Sequence, residues 1–236
     1  MSELRGPERA AYVQAMFERI ARRYDLMNRL MTFGRDHAWR RMVVQEAALP
    51  ADGHLLDVAT GTGDIAFEAL RQQPGAYVAG ADFAPAMMRV GMRRPGGRRV
   101  VWVEADALAL PFPDASFDAV TSGYLMRNVA DVRAAFSEQV RVVRPGGRVV
   151  CLDTSPPQRS LLRPFALLYL KVIIPLLGKI VTGDNSAYRY LPESTRAFKT
   201  PDELADIMRA AGLLDIRYRR LMAGTIAVHV GTRPQE

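Results

Sequence analysis

Three apolar runs each lead to an acid: LLDVATGTGD at 55–64, AYVAGAD at 76–82 and VVWVEAD at 100–106. In the first, Gly61 and Gly63 lie between Asp57 and Asp64; Asp82 and Asp106 close the other two. Glycines in a turn between a strand and a helix let backbone approach a ligand closely, and the helix start beyond them favours an anion. Gly61, Gly63 and Ala66 satisfy G-x-G-x-x-G/A, and Asp82 follows at about the twenty-residue distance where a ribose-binding acid belongs. On pattern alone the ligand is NAD.

Charge points elsewhere. Asp57 and Asp64 flank the turn, so a pyrophosphate would face two carboxylates in a partly desolvated crevice. S-adenosylmethionine shares the adenosine, lacks phosphate, and carries an ammonium and a sulfonium that the same acids attract. On this reading Gly61 and Gly63, with Thr60, approach the amino acid end. Asp82, with Phe83 beside it, takes the ribose hydroxyls, and Asp106, with Ala107, the adenine amine. Each acid alone is as easily a helix cap or strand-end carboxylate. Three at successive strand ends favour a site, because ligands of open α/β sheets bind beyond those ends.

The elements that would position these acids are legible as periodicity. Residues 7–48 read as helices, with Tyr12, Met16, Ile20, Tyr24 and Met27 at helical spacing. From 54 onward, Val/Ile/Leu runs alternate with helical segments, which argues for parallel strands covered on both faces. IRYRRLMAGTIAVHVGT reads as two strands turning at Ala223 and Gly224. The expected fold is a doubly wound, Rossmann-like α/β sheet of seven strands, mostly parallel with an antiparallel edge pair. The expected organisation is an N-terminal helical lid over 1–50 and a ligand-binding domain over 51–236, with a helical insertion at about 156–200.

Composition bounds the rest. The 236 residues, 49% hydrophobic and 24% charged, suit a globular domain of moderate size. The net charge of +7 fits either an anionic partner or a plain solvated surface. No dense basic run with interleaved aromatics is present, so nucleic acid is not expected. Cys151 is the sole cysteine, which excludes an internal disulfide and Cys-based metal sites, and no metal is expected. With no apolar signal segment in MSELRGPERAAY, a cytoplasmic location is expected, peripheral to the membrane's inner face at most.

Asp57, GTGD, Asp82 and Asp106 together resemble the class I methyltransferases. YDLMNRLMTFGRDHAWR (24–40) and RVVRPGGRVVCLDTS (141–155) resemble the two signature segments of the menaquinone and ubiquinone biosynthesis C-methyltransferases. SGYLMRNVAD (122–131), GDNSAYRYLPES (183–194) and AGTIAVHVGT (223–232) agree with them. Departures fall at Thr32, Asp36 and His37 in the first segment and at Asp153–Ser155 in the second. The resemblance implies methyl transfer from S-adenosylmethionine to a ring carbon of a reduced prenylated quinone, demethylmenaquinol first and a benzoquinol or other small aromatic or lipid as the alternative. It implies Arg127 as the group that stabilises a phenolate, Asn128 as orienting ring oxygens or cofactor, and Tyr24 as closing the lid. Asp153, His37 or water remain as the base. A nicotinamide oxidoreductase is the distant rival, disfavoured by the acids beside the glycines.

LLRPFALLYLKVIIPLLGKIV, 161–181, has the length of a membrane span. Arg163, Lys171 and Lys179 divide it, and Pro164, Pro175 and Gly178 interrupt a straight helix. It is expected instead to line a prenyl tunnel, lie in the membrane interface, or pack in a core or a homodimer.

Overall fold

The computed structural model describes residues 6–157, 163–182 and 186–235; Leu161, Leu162 and Gly183–Asn185 of the stretches above lie outside them. Seven strands form one sheet in the order β3 (Val100–Glu104), β2 (Tyr77–Asp82), β1 (His54–Val58), β4 (Phe117–Gly123), β5 (Val143–Thr154), β7 (Ile226–Thr232) and β6 (Leu214–Leu221). All neighbours are parallel except β5–β7 and β7–β6. The antiparallel pair stands where the turn at Ala223–Gly224 puts it, with Ala223 itself at φ 51°. Order reverses between β1 and β4, and the crevice beyond their carboxyl ends is where such sheets take ligands.

Central strands are apolar on both faces because helices cover both. Leu55, Ala119, Val150 and Leu152 pack into one core, Leu56, Val120, Val149 and Cys151 into the other. Edge strand β6 alternates Arg217, Arg219 and Arg220 with apolar residues, which blunts an exposed edge. β3 ends at Glu104, so Asp106 lies two residues past the strand rather than at its end, exposed, in a bend bridging to Ala109.

Residues 6–47 carry α1 (Gly6–Ile20), α2 (Tyr24–Thr32) and α3 (Asp36–Ala47). Only α3 joins the sheet, through Trp39, Val43, Val44 and Ala47. α1 and α2 instead share a separate apolar cluster, Val13, Met16, Ile20, Met27 and Met31, with Ile174 and Tyr190. Those two partners come from α8 (Ile174–Thr182) and α9 (Ser186–Ala197), which follow α7 (Arg163–Leu168) and a π-helical turn. Lid and insertion are thus one layer over the carboxyl edge of the sheet. Among the described residues no helix is long and apolar enough to cross a membrane.

β1 passes to α4 (Asp64–Gln72) through a turn with Gly61 at φ 58° and Gly63 at φ 85°. A Cβ on Gly63 would stand 2.6 Å from the Trp102 ring, so both conformation and space demand glycine. Gly63→Ala is expected to cost about 1–3 kcal/mol, lowering Tm by roughly 2–4 °C for each kcal/mol. Calorimetric unfolding with an unchanged midpoint would contradict the strain.

Candidate active site

Two recesses open beneath the lid. The narrow one, about 40 Å³, is lined by Asp57, Thr60, Gly61, Thr62, Asp64, Arg40 and Gly123 among others. The broad one, about 410 Å³, is walled by apolar side chains such as Met16, Ile20, Met31 and Ile174, with Arg127, Asn28 and Asn128 as polar lining. Tyr24 and Tyr124 line both.

In the narrow cleft, Asp57 is 1% exposed and accepts hydrogen bonds from Thr60 Oγ1 at 2.7 Å and Thr121 Oγ1 at 2.9 Å. Asp82, also buried, accepts from the Gly61 amide at 2.7 Å and the Ala84 amide at 2.8 Å, which ties the glycine turn to the start of α5 (Pro85–Met92). Burial pushes the Asp57 carboxyl up to about 7, against the two hydroxyl donors that favour its ionised form. Burial pushes Asp82 up to about 6, against its amide donors. Neither is ion-paired among the described residues, so a cation arriving here relieves a desolvated charge.

Asp64 has a different use from the one its position in the turn suggests. Arg40 Nη2 meets it at 2.9 Å and Arg94 Nη1 at 2.5 Å, and these arginines hold its carboxyl below the usual range despite burial. Its charge is answered within the fold, and the acids opposing a pyrophosphate are Asp57 and Asp82. Arg40 also pairs with Asp36, whose carboxylate accepts from Thr32 Oγ1 at 3.0 Å. Thr62 Oγ1 donates to Asp25 Oδ1 at 2.7 Å, and Arg94 lies 3.6 Å from Asp25. Thr32 and Asp36 thus join α2 to α3, and the Asp25–Thr62 and Arg40–Asp64 contacts latch both helices onto the glycine turn.

In the broad cavity, Arg127 Nη1 donates to Asp153 Oδ1 at 2.7 Å, and the Arg127 amide reaches Asp153 Oδ2 at 3.3 Å. The guanidinium stacks 5.1 Å from the Tyr124 ring centroid. Asp153 is 1% exposed, lines neither recess, and also accepts the Thr154 amide, so it fixes Arg127 from behind. Asn128 spends both ends of its amide, donating to the Tyr124 carbonyl at 2.8 Å and accepting from Tyr190 Oη at 3.1 Å. Tyr24 packs edge-on to Phe17, and burial raises its hydroxyl, opposed by the nearby Asn28 amide and Arg127.

Of the residues named from sequence, Asp57, Thr60 and Gly61 meet in the cleft, and Tyr24, Arg127 and Asn128 in the cavity. Asp82 and Gly63 stand one layer behind the cleft. Phe83 packs under α1 beside Phe17 and Tyr24, and Ala107 is buried in the sheet core. Asp106 and His37 are exposed and line neither recess. Sequence reasoning missed Arg40, Tyr124 and Asn28 as site residues. The Asn28 side chain is 7% exposed, lines the cavity beside Tyr24, and among the described residues its Nδ2 meets no acceptor in hydrogen-bond geometry. Tyr124 holds the left-handed φ of 60°, a strain with no sequence signature.

The sequence matches the profile of the ubiE/COQ5 methyltransferase family over residues 6–233. The chain belongs to that family. Among its relatives is the ubiquinone/menaquinone biosynthesis C-methyltransferase UbiE of Desulfotalea psychrophila, 48% identical, spanning 94% of this chain and 90% of that protein. Another is the demethylmenaquinone methyltransferase of Roseiflexus castenholzii, 47% identical over 96% of this chain and 95% of the relative. The fold also matches Haemonchus contortus phosphoethanolamine N-methyltransferase 2 in complex with S-adenosyl-L-methionine, with TM-score 0.63 at 18% identity over 84% of this chain and 53% of the other. In this member of the ubiE/COQ5 family a narrow acidic cleft and a broad apolar cavity meet at Tyr24 and Tyr124.

Because Asp57 is raised from 3.8 to about 7 on folding, it contributes most to stability below about pH 4 and that contribution is lost as pH rises through about 7. Asp57→Asn is therefore expected to gain thermal stability relative to the ligand-free parent as pH climbs from about 4 to 7, then level off. Paired melting curves across that range check it; a difference independent of pH would contradict a buried, strained charge.

Proposed function

We infer that this protein transfers a methyl group from S-adenosylmethionine to a ring carbon of a reduced prenylated quinone, with demethylmenaquinol as acceptor and menaquinol as product. The observation that carries this reading is the meeting of an acidic cleft and a large apolar cavity at Tyr24 and Tyr124, with one buried guanidinium on the cavity side. The relatives' names give the acceptor; the chemistry of the cavity supports it.

S-adenosylmethionine, when bound, supplies a cationic sulfonium with a methyl group ready to leave. Asp57 and the Gly61–Gly63 turn suit its charged amino acid end, and Asp82 keeps lone pairs for hydroxyls after accepting two amides. Asp106, exposed just past β3, would serve the adenine amine.

Acceptor activation rests on Arg127. A phenol near pKa 10 must lose its proton for its ring carbon to become strongly nucleophilic. A guanidinium fixed by Asp153 and a tyrosine face favours that phenolate in low dielectric without itself moving a proton. With Asp153 committed to Arg127 and His37 outside the cavity, we assign the phenolic proton to water. Asn28 Nδ2 offers a donor to a ring oxygen, and Tyr24 and Tyr124 exclude water between the recesses.

Arg127→Ala is expected to cut kcat with demethylmenaquinol by about 10²–10³, with cofactor affinity measured by calorimetry changed little. Unchanged turnover would remove the assignment. Asn28→Ala should lower kcat/KM roughly tenfold, through loss of one hydrogen bond to the acceptor. Assaying both variants and the parent against reduced naphthoquinols and benzoquinols with labelled S-adenosylmethionine tests the acceptor class itself. Labelling of no quinol would overturn the functional reading.

A further inference from the structure

Among the described residues, α2 has no partner on its outward face. Leu26 and Leu30, one turn apart there, and Phe33 at the helix's C-terminal cap are 52%, 39% and 74% exposed. Beside it, Leu168, Val172, Ile173 and Leu176 are 56%, 49%, 38% and 52% exposed along α7–α8. The remaining exposed large apolar residues among those described, Tyr77, Met92, Val101 and Leu214, stand on β2, α5, β3 and β6. The apolar surface is therefore concentrated on two neighbouring helical elements.

Those elements are joined to each other and to the mouth of the broad cavity. α2 packs on α8, Tyr169 Oη donates to the Met31 carbonyl at 2.7 Å, and the Phe33 and Tyr169 rings lie 5.7 Å apart. Phe33, Tyr169 and Ile174 all line the cavity. Cations border the patch: Arg22 and Arg29 flank Leu26 on the exposed side of the α2 segment, and Lys179 follows Leu176 on α8. Asp25, the acid of α2, is turned inward to Thr62 and Arg94.

We propose that this face, Leu26 and Leu30 of α2 and Phe33 at its cap with the outward residues of α7–α8, docks on an anionic lipid bilayer and presents the cavity mouth to it. The inference rests on the functional reading above, because a prenylated acceptor resides in lipid. Apolar side chains entering the headgroup boundary, ringed by arginine and lysine, give binding that scales with buried area and with anionic charge. A continuous apolar path from bilayer to cavity spares the prenyl chain from crossing water.

The test uses the full chain and vesicles of phosphatidylcholine with or without phosphatidylglycerol, in flotation. Binding to the anionic vesicles is expected, weakened by salt and at least about tenfold weaker in Leu26→Ser/Leu30→Ser and in Val172→Ser/Leu176→Ser. Each pair lies outside the cavity lining, so methylation of a short-chain, water-soluble quinol should stay within about twofold of the parent. Absence of flotation on either vesicle, with that soluble quinol still methylated, would overturn the docking face alone. Flotation without methylation of any quinol would uphold the face and overturn the functional reading. A parent that sediments as a dimer and double variants that sediment as monomers would assign the face to a second copy of the chain and overturn the proposal.

Discussion

Two buried carboxylates with no ion pair among the described residues set the character of this molecule. Asp57 stands on β1, where sheet order reverses, and Asp82 ends the neighbouring β2; desolvation raises both against every hydrogen bond they receive. Such groups cost the folded chain stability, and the cost is recovered only when positive charge arrives. A phosphate-bearing ligand would deepen the penalty. The preference for a cationic donor over a dinucleotide thus follows from burial as much as from residue type.

Around that pair, the remaining charges are arranged so as not to interfere. Asp64 would add to the negative field, but Arg40 and Arg94 hold it, and through Asp36, Thr32 and Asp25 the same arginines lock the lid to the glycine turn. On the other side of Tyr24 and Tyr124, Asp153 does for Arg127 what Arg40 does for Asp64. It fixes a charged group in one geometry. The two networks separate a site for positive charge from a site for negative charge by the thickness of two tyrosine rings.

The fold was readable because its signals are local and periodic. Strand runs bounded by turns, Asp131 as the N-cap of the helix Val132–Val142 and the Thr200–Glu203 capping box before Pro201–Ala210 specify elements within a few residues. The exposed stripe on α2 was hidden for the same reason: Leu26 and Leu30 sit in an amphipathic pattern that reads as core until a partner is shown to be missing. Asn28 carries no signal of its own in sequence; its unmatched amide in the folded cavity, among the described residues, is what marks it out.

The sequence by itself determined the sheet, the glycine turn, the acids of the crevice and the family, because these depend on residue type at short spacing. Tertiary structure alone decided which acids stay uncompensated, that Asp106 falls beyond its strand, that Asp153 backs Arg127, and that lid and insertion enclose one apolar cavity. Each of these depends on contacts between residues far apart in the chain, whose burial and pairing are set only once the helices close over the sheet.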